Sequence, residues 1–192
     1  MPLAYFITFT VYGVWLHGRE AGSVDKEHNI PGTPFLPPDP IREGEMLANL
    51  RESPYLLNET RRTVVLDTIR EVAQYRRWQI HAAHVRTTHV HIVVTAEAKP
   101  EKVMSDFKAY ASRRLKERLS EPADRKRWTQ HGSTRYLWTE ESVGVAIEYT
   151  LNGQGEPLAV FDGRKKPFAD AEPEASAKPF ADASGSERTD AC

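Results

Sequence analysis

The 192-residue sequence contains almost no cysteine, and its single cysteine is Cys192. One cysteine cannot form a framework of intramolecular disulfides, which excludes the small secreted proteins that depend on such bridges. The cytoplasm is therefore the expected compartment. The sequence also lacks an apolar run long enough to cross a bilayer, so we expect no membrane-spanning helix and no membrane partner.

A strong net charge of either sign is missing as well. Lys and Arg number 26 and Asp and Glu number 27, so the formal net charge is -1. Nucleic-acid-binding proteins usually carry a basic excess, and the total argues against this class. The charge is unevenly distributed, however, because the segment from Glu101 to Arg135 contains ten basic and five acidic residues. DNA binding confined to one face of the protein therefore stays open.

The C-terminal part of the chain has a low-complexity composition. After Gly163 it is rich in Ala, Pro, Ser and acidic residues, and the hexapeptide KPFADA occurs twice, at 166–171 and 178–183. One such duplication is typical of a disordered tail, whereas a solenoid needs several stacked repeats. We expect one folded domain over residues 1–162 and a disordered tail over 163–192.

Hydrophobic periodicity predicts three strands and three helices in the folded domain. The strands are predicted at Tyr5–Leu16, Trp78–Arg86 and His89–Thr95, the helices at about 58–76, 101–119 and 139–153, and a short irregular or two-stranded segment at 127–138. A proline-rich segment, Gly18–Tyr55, predicts a long loop after the first strand. Asn58, Pro100 and Thr139 are suited to begin the helices. This order indicates an α+β sandwich, with an antiparallel sheet and helices on one face.

The sequence His89-Val90-His91 is the sharpest chemical feature of the chain. Side chains at positions i and i+2 of a strand point to the same face, so both imidazoles face the same way. Two convergent imidazoles can bind a divalent metal. The same spacing also occurs where two histidines only line a solvated face, and the motif by itself leaves both interpretations open.

Tyr149 lies on the third predicted helix but outside its apolar stripe, which contains Val143, Ala146, Ile147, Thr150 and Leu151. A tyrosine in this position can act as a phenolic nucleophile, or it can pack against another element. The rival nucleophile, Tyr110, lies on the apolar stripe of the second helix, and we expect it in the core.

These features together resemble the single-tyrosine HUH transposases of the insertion-sequence 200/605 group and their repeat-associated relatives. The stretch THVHIVV (Thr88–Val94) is similar to the family's His–hydrophobic–His strand, and TEESVGVAIEYTLNGQGE (Thr139–Glu156) is similar to its tyrosine helix. The resemblance covers residues 2–161 and implies a ferredoxin-like sandwich. It also implies a homodimer, in which Tyr149 of one subunit completes the histidine pair of the other.

The chemistry implied by the resemblance is DNA strand transfer on single-stranded or hairpin DNA. Tyr149 attacks the phosphodiester and leaves a 5′-phosphotyrosine and a free 3′-hydroxyl, while Mg²⁺ or Mn²⁺ is held by His89, His91 and an amide side chain. The family's amide follows the tyrosine by four residues, where this chain has Gly153. We expect Gln154 to replace it, because a helix end broken by glycine can turn the next side chain inward.

The ten basic residues between 101 and 135 are interleaved with or followed by Trp128, Tyr136 and Trp138. Cations bind the phosphate backbone and aromatic rings stack on unpaired bases, so the pattern is typical of a single-strand binding groove. A charge run of this kind is also typical of a solvated helix face. The residues expected to contact DNA are Lys108, Arg113, Arg114, Arg127, Trp128 and Arg135.

Two other functions are compatible with the sequence. One is a domesticated relative that binds DNA without strand transfer, which would be favoured if Gln154 could not reach the metal. The other is a metal-dependent phosphodiesterase that uses water, with Tyr149 in a structural position. His81, His84 and His131 are further candidates for the site, but we expect them at surface or hairpin positions. His17 lies at the end of the first predicted strand, and both interpretations stay open for it.

Overall fold

The structure of the protein is a computed structural model, and it describes residues 1–14, 44 and 48–165. In chain order its elements are β1 (Ala4–Thr10), α1 (Glu59–Arg76), β2 (Gln79–Val85), β3 (His89–Thr95), α2 (Pro100–Leu119), β4 (Ser133–Leu137), α3 (Glu140–Asn152) and β5 (Ala159–Asp162). The expected tail from residue 166 onward, His17 and most of the proline-rich loop lie outside the described residues. The domain boundary at residue 162 therefore stays a prediction.

The five strands form one antiparallel sheet in the order β4-β1-β3-β2-β5. The predicted α+β class is confirmed by this sheet and the helices that cover it. In the register of the central strands, Thr8 lies opposite His91, and Thr10 lies opposite His89. On the other side of β3, His84 lies opposite His91. These residues share one face of the sheet, because directly paired residues of antiparallel strands point the same way.

The opposite face of the sheet carries the larger core. Its side chains on the two central strands are completely or almost completely buried under α1 and α2, and they include Tyr5, Ile7, Phe9, Val90, Ile92 and Val94. Tyr110 belongs to this core, as the stripe on α2 predicted. Burial of such side chains, each worth about 1.5–3 kcal/mol, is the main source of the fold's stability.

The third helix departs from the expectation that all helices pack on one face. Ala146, Ile147 and Leu151 of α3 pack on the histidine face, against a second cluster that includes Val93 and Leu137. Both faces of β3 are apolar away from the histidines, so each face needs a cover, and α3 covers this one. The C-terminal end of this helix lies beside the histidines of the face, where the Thr150 carbonyl contacts Nδ1 of His84.

The predicted helix ends are confirmed. The Asn58 side chain accepts from the backbone N–H of Arg61, Pro100 opens α2, and the Thr139 side chain caps α3 through the N–H of Ser142. Gly153 ends α3, and its N–H donates to the carbonyl of Tyr149. In the part of the chain that the structure describes, no helix combines the length and apolarity that a bilayer crossing requires.

The first strand is shorter than predicted. It ends at Thr10, Val11 forms an isolated bridge to Trp128, and Gly13 turns the chain with a φ of +75°. A single strand, β4, replaces the predicted irregular or two-stranded segment. The four-residue strand β5 was missed, since a run as short as Ala159–Asp162 carries too little periodicity to be recognised.

Candidate metal and tyrosine site

The histidine pair lies on the face of the sheet that α3 packs against, beside the C-terminal end of that helix. His89 and His91 point to the same face of β3, and their ring centroids are 4.7 Å apart. Val90 between them is buried in the core on the opposite face. His91 is 6% exposed, which corrects the interpretation that both histidines merely line a solvated face. Side chains two residues apart in a strand point to the same face, and the three-residue motif therefore brings two imidazoles together.

Gln154 joins the two imidazoles from the end of α3. Its Oε1 lies 3.1 Å from Nε2 of His91 and 3.4 Å from Nε2 of His89. The Asn152 side chain instead donates to the Glu148 carboxylate, 2.7 Å away. The helix ends at Gly153, and this break allows the next side chain to turn toward the sheet. The structure thus brings together the three side chains expected to hold a metal.

Both imidazoles are oriented by threonine hydroxyls. Nδ1 of His91 lies 2.8 Å from Thr8 Oγ1, and Nδ1 of His89 lies 3.0 Å from Thr88 Oγ1. When Nδ1–H donates to the hydroxyl oxygen, the Nε2 lone pair is available to a metal, the arrangement common for ligating histidines. Burial lowers the pKa of His89 and lowers the pKa of His91 to about 4. Both rings are therefore neutral at pH 7, the form that binds metals.

The two distances from Gln154 Oε1 to the imidazoles are those of neighbouring ligands in a metal coordination shell. Neighbouring ligand atoms are about 3.0 Å apart around an octahedral Mg²⁺ at 2.1 Å, and about 3.3 Å apart around a tetrahedral ion at 2.0 Å. The 3.1 and 3.4 Å distances from Gln154 Oε1 match these edges. Among the described residues, no group of three or more His, Cys, Asp or Glu is placed to hold a metal. Two imidazoles and an amide oxygen are thus the donor set that fits an ion.

Tyr149 lies beside this donor set. Its ring centroid is 5.7 Å from that of His91 and 5.9 Å from that of Phe6. Phe6 also stacks on His91, with ring centroids 5.6 Å apart and planes 16° apart. Tyr149 is 47% exposed, so it is held in the site without being a core side chain. In contrast, Tyr110 is buried in the core on the other face of the sheet.

Arg86 was missed as a residue of the site, and His84 was only a secondary candidate. His84 was expected at the surface, but it is completely buried beside His91, and its Nδ1 contacts the carbonyl of Thr150. Arg86 donates from Nη1 to the carbonyl of Glu156. The turn at residues 87–88 offered a signal in the sequence. A hairpin with this turn pairs Arg86 with His89 and His84 with His91, and paired residues point to the same face.

The structure corrects two residues expected to contact DNA. Lys108 is 9% exposed, and its Nζ donates to the backbone carbonyls of Thr129 and His131, each 3.0 Å away. Arg127 is 4% exposed and pairs with the buried carboxylate of Glu121 at 2.9 Å. These cations are used inside the protein to fix loops, so a high local count of Lys and Arg overstates the basic surface.

The other four expected contacts divide between the two sides of the protein. Arg114 forms ion pairs with Glu71 and Glu117, and the indole N–H of Trp128 donates to the carbonyl of Lys108. Arg113 is exposed on α2, across the sheet from the histidines. Arg135 is exposed on β4 opposite Phe6, which places it on the histidine face.

The lysine assignment gives a stability prediction. Lys108→Met is expected to lower the free energy of unfolding by about 2–3 kcal/mol, because it leaves buried carbonyls without the charged donor that satisfies them. Arg113→Met on the exposed face of the same helix is the matched control, expected to change stability by less than about 0.5 kcal/mol. Urea denaturation measures both. Equal stability of the two variants would contradict the structural role of Lys108.

Comparison with known families identifies the family of the chain. The family model "Transposase IS200 like" matches residues 48–143, half of the chain. The chain belongs to the IS200-like transposase family. The resemblance recognised in the sequence is thereby confirmed, and membership places the chain among the proteins of DNA transposition and recombination. The matched segment includes His89 and His91 but ends before Tyr149 and Gln154.

Two solved structures are similar to the chain. One is a REP-associated tyrosine transposase bound to a REP hairpin, with 11% identity and a TM-score of 0.47 over 78% of this chain and 65% of the other. The second is a candidate transposase from Deinococcus radiodurans, with 14% identity and a TM-score of 0.40 over 78% of this chain and 88% of the other. The chain thus spans less than two thirds of the first structure's length. No match was found among curated protein sequences.

Proposed function

We propose that this transposase-family protein cleaves and rejoins single-stranded or hairpin DNA. In this proposal Tyr149 is the nucleophile, and His89, His91 and Gln154 hold Mg²⁺ or Mn²⁺. The observation that carries it is that two Nε2 atoms lie within 3.4 Å of one amide oxygen, beside a half-exposed tyrosine ring. Family membership supports the reaction class, and the geometry supports these residues in it.

The reaction conserves the energy of the phosphodiester bond. Tyr149 Oη attacks phosphorus and loses its proton, while the bond from phosphorus to the 3′ oxygen breaks. The 3′ oxygen takes up a proton and leaves as a hydroxyl, and the 5′ phosphate stays on Tyr149 as an ester. Since the ester keeps the energy of the broken bond, the 3′-hydroxyl of another strand can attack it and rejoin DNA without ATP.

The chain's residues prepare the site for this reaction. His89 and His91 are neutral through burial and are fixed by their threonine partners, so they present lone pairs without a conformational cost. Bound Mg²⁺ or Mn²⁺ supplies positive charge that polarises the phosphate oxygens. Phe6 contacts the rings of both His91 and Tyr149 and holds them in a fixed relation.

DNA is proposed to approach over the histidine face. Arg135 is exposed there, and its position opposite Phe6 puts a cation beside the aromatic contacts of the site. A homodimer, expected from the family resemblance, is also part of the proposal. Tyr149 contacts His91 of its own chain, which supports cleavage by a single subunit within such a dimer.

The function is tested by incubating the full chain with an end-labelled hairpin oligonucleotide and Mn²⁺. The expected product is a covalent protein–DNA adduct that resists denaturation and that EDTA prevents. DNA binding without cleavage would favour the domesticated binding module. Cleavage with no adduct at any time point would favour a phosphodiesterase that uses water. The distances to Gln154 already argue against the binding module, since the amide reaches both histidines.

Neighbouring amides on either side of Gly153 provide a matched pair of variants. Gln154→Ala is expected to weaken Mn²⁺ binding and slow adduct formation by at least about 10-fold, because it removes an oxygen ligand and residues that only orient a ligand are already worth about 10–100-fold. Asn152→Ala removes an amide that is bonded to Glu148 and is expected to change both by less than about twofold. Calorimetry with Mn²⁺ and the adduct assay measure the pair. The reverse order of effects would show that Asn152 is the ligand.

A further inference from the structure

The turn that carries Gln154 is held by the residues that face the histidine pair across the β2–β3 hairpin. His84 lies opposite His91 in the sheet register. Arg86 lies opposite His89, because its backbone N–H donates to the His89 carbonyl at 2.8 Å. Paired residues of antiparallel strands point to the same face. Each histidine of the pair thus has a β2 neighbour on the face where α3 ends.

His84 joins the end of α3 to the segment that leads into β5. Its Nε2 accepts from the backbone N–H of Leu158 at 3.2 Å, so its Nδ1 carries the proton and donates to the Thr150 carbonyl at 3.0 Å. The carbonyls of the last helical turn lack partners within the helix, and this imidazole satisfies one of them. It is completely buried, so the two hydrogen bonds are shielded from water.

Arg86 holds the same segment between those two points. Its Nη1 donates to the Glu156 carbonyl at 2.7 Å, two residues after Gln154. The turn itself is rich in glycine, with Gly153 at the helix end and Gly155 at a φ of +74°. Glycine gives a turn many alternative conformations. The bonds at residues 150, 156 and 158 restrict these conformations to the one that directs Gln154 toward the histidines.

We propose that His84 and Arg86 are positioning residues that pre-organise Gln154 for metal binding. The inference rests on the proposed function. It identifies the residues that direct the Gln154 amide toward the histidines, although this amide is one residue beyond the position that the family uses. In the family that the sequence resembles, the amide follows the tyrosine by one helical turn. In this chain the helix ends before Gln154. Hydrogen bonds from the sheet take over the task that a continued helix would perform.

The test is the affinity of the DNA-free protein for Mn²⁺, measured by electron paramagnetic resonance of the free ion. Arg86→Ala is expected to weaken binding by about tenfold, the range for partners that orient a metal ligand. Arg86→Lys keeps a donor for the Glu156 carbonyl and is expected to recover most of this loss. Arg70→Ala removes an exposed guanidinium on α1, over the ring of Phe161, and is expected to have no effect.

A double substitution separates positioning from an independent role. If Arg86 acts through Gln154, Arg86→Ala/Gln154→Ala binds Mn²⁺ no more weakly than Gln154→Ala alone. Additive losses would overturn the inference, because they would show that Arg86 acts on the metal site by another route. His84→Ala provides a second variant with the same expected non-additivity, and His84→Gln, which can still donate to the Thr150 carbonyl, is expected to recover most of its loss.

Failure of the inference and failure of the proposed function give different results. If Arg86→Ala bound Mn²⁺ with unchanged affinity while Gln154→Ala bound it more weakly, the positioning role would be overturned and the proposed metal site would stand. Absence of Mn²⁺ binding in the unsubstituted protein would contradict the proposed metal site and this inference with it. Thermal unfolding of each variant shows that the folded protein is compared. A variant that has lost its cooperative transition is replaced by Arg86→Met or His84→Leu, which fill more of the space but cannot donate a hydrogen bond.

Discussion

Tyr149→Phe is expected to lower the rate of covalent protein–DNA adduct formation by at least about 1,000-fold. A loss of this order is seen when an enzyme that forms a covalent intermediate loses its nucleophile. Phenylalanine keeps the ring that contacts Phe6 and His91 but lacks the oxygen that attacks phosphorus. Because the ring is 47% exposed, the substitution costs little stability. The variant should therefore still bind a labelled hairpin and Mn²⁺ with nearly unchanged affinity.

Tyr110→Phe is the matched control for this result. It makes the same chemical change in the chain's rival tyrosine, which is 8% exposed in the core on the opposite face of the sheet. Adduct formation by this variant is expected to stay within about threefold of the unsubstituted protein at equal folded concentration. Survival of the adduct in Tyr149→Phe would show that another residue is the nucleophile.

His91→Ala is expected to have the second largest effect, a loss of Mn²⁺ affinity of more than about 100-fold. For comparison, removal of a residue that only orients a metal ligand typically lowers metal affinity by about 10–100-fold. His91 contributes a direct donor atom, and Gln154 Oε1 lies 3.1 Å from it. Its loss leaves one imidazole and one amide, too few to compete with water for Mn²⁺. Adduct formation should fall in parallel, and titration of Mn²⁺ should partly restore it.

His131→Ala provides the control for removal of an imidazole. His131 is exposed, and its contact with Lys108 is made by the backbone carbonyl, which the substitution leaves in place. Mn²⁺ affinity and adduct formation are expected to be unchanged. If His91→Ala bound Mn²⁺ as well as His131→Ala does, the histidine pair could not be the metal site.

Local rules in the sequence predicted the elements well. Asn58, Pro100 and Thr139 mark helix starts because capping depends on a few neighbouring residues. The stripe of α3 also predicted that Tyr149 would lie outside the core. The side of the sheet that α3 covers could not be predicted in this way. It depends on which face of β3 stays apolar after α1 and α2 have packed, a property of the assembled sheet.

The candidate site was predictable where it depended on strand period and chain order. His89 and His91 point to the same face because of the two-residue period, and Gln154 follows a glycine that ends the helix. His84 was misjudged, since its partners Thr150 and Leu158 are far along the chain and become neighbours only on folding. The hairpin turn places His84 opposite His91, but its burial and its long-range hydrogen bonds leave no local signal in one sequence.

Counting charges was the weakest guide to the DNA surface. Lys108 and Arg127 belong to the basic segment on which the expectation depended, but both are buried and bonded to backbone carbonyls or Glu121. Arg135 stays exposed on the histidine face. Burial decides whether a cation can meet a phosphate, and burial depends on tertiary structure. The near-neutral total charge is therefore compatible with DNA binding through a small number of exposed cations.

The central claim is that Tyr149 forms a covalent bond to the 5′ phosphate of cleaved DNA. Mass spectrometry of the adduct, after nuclease and protease digestion, tests this most directly. The account predicts a nucleotide phosphate on the peptide that contains Tyr149, together with a free 3′-hydroxyl on the released strand. A phosphate located on any other residue, or a cleaved strand with no modified peptide, would contradict it.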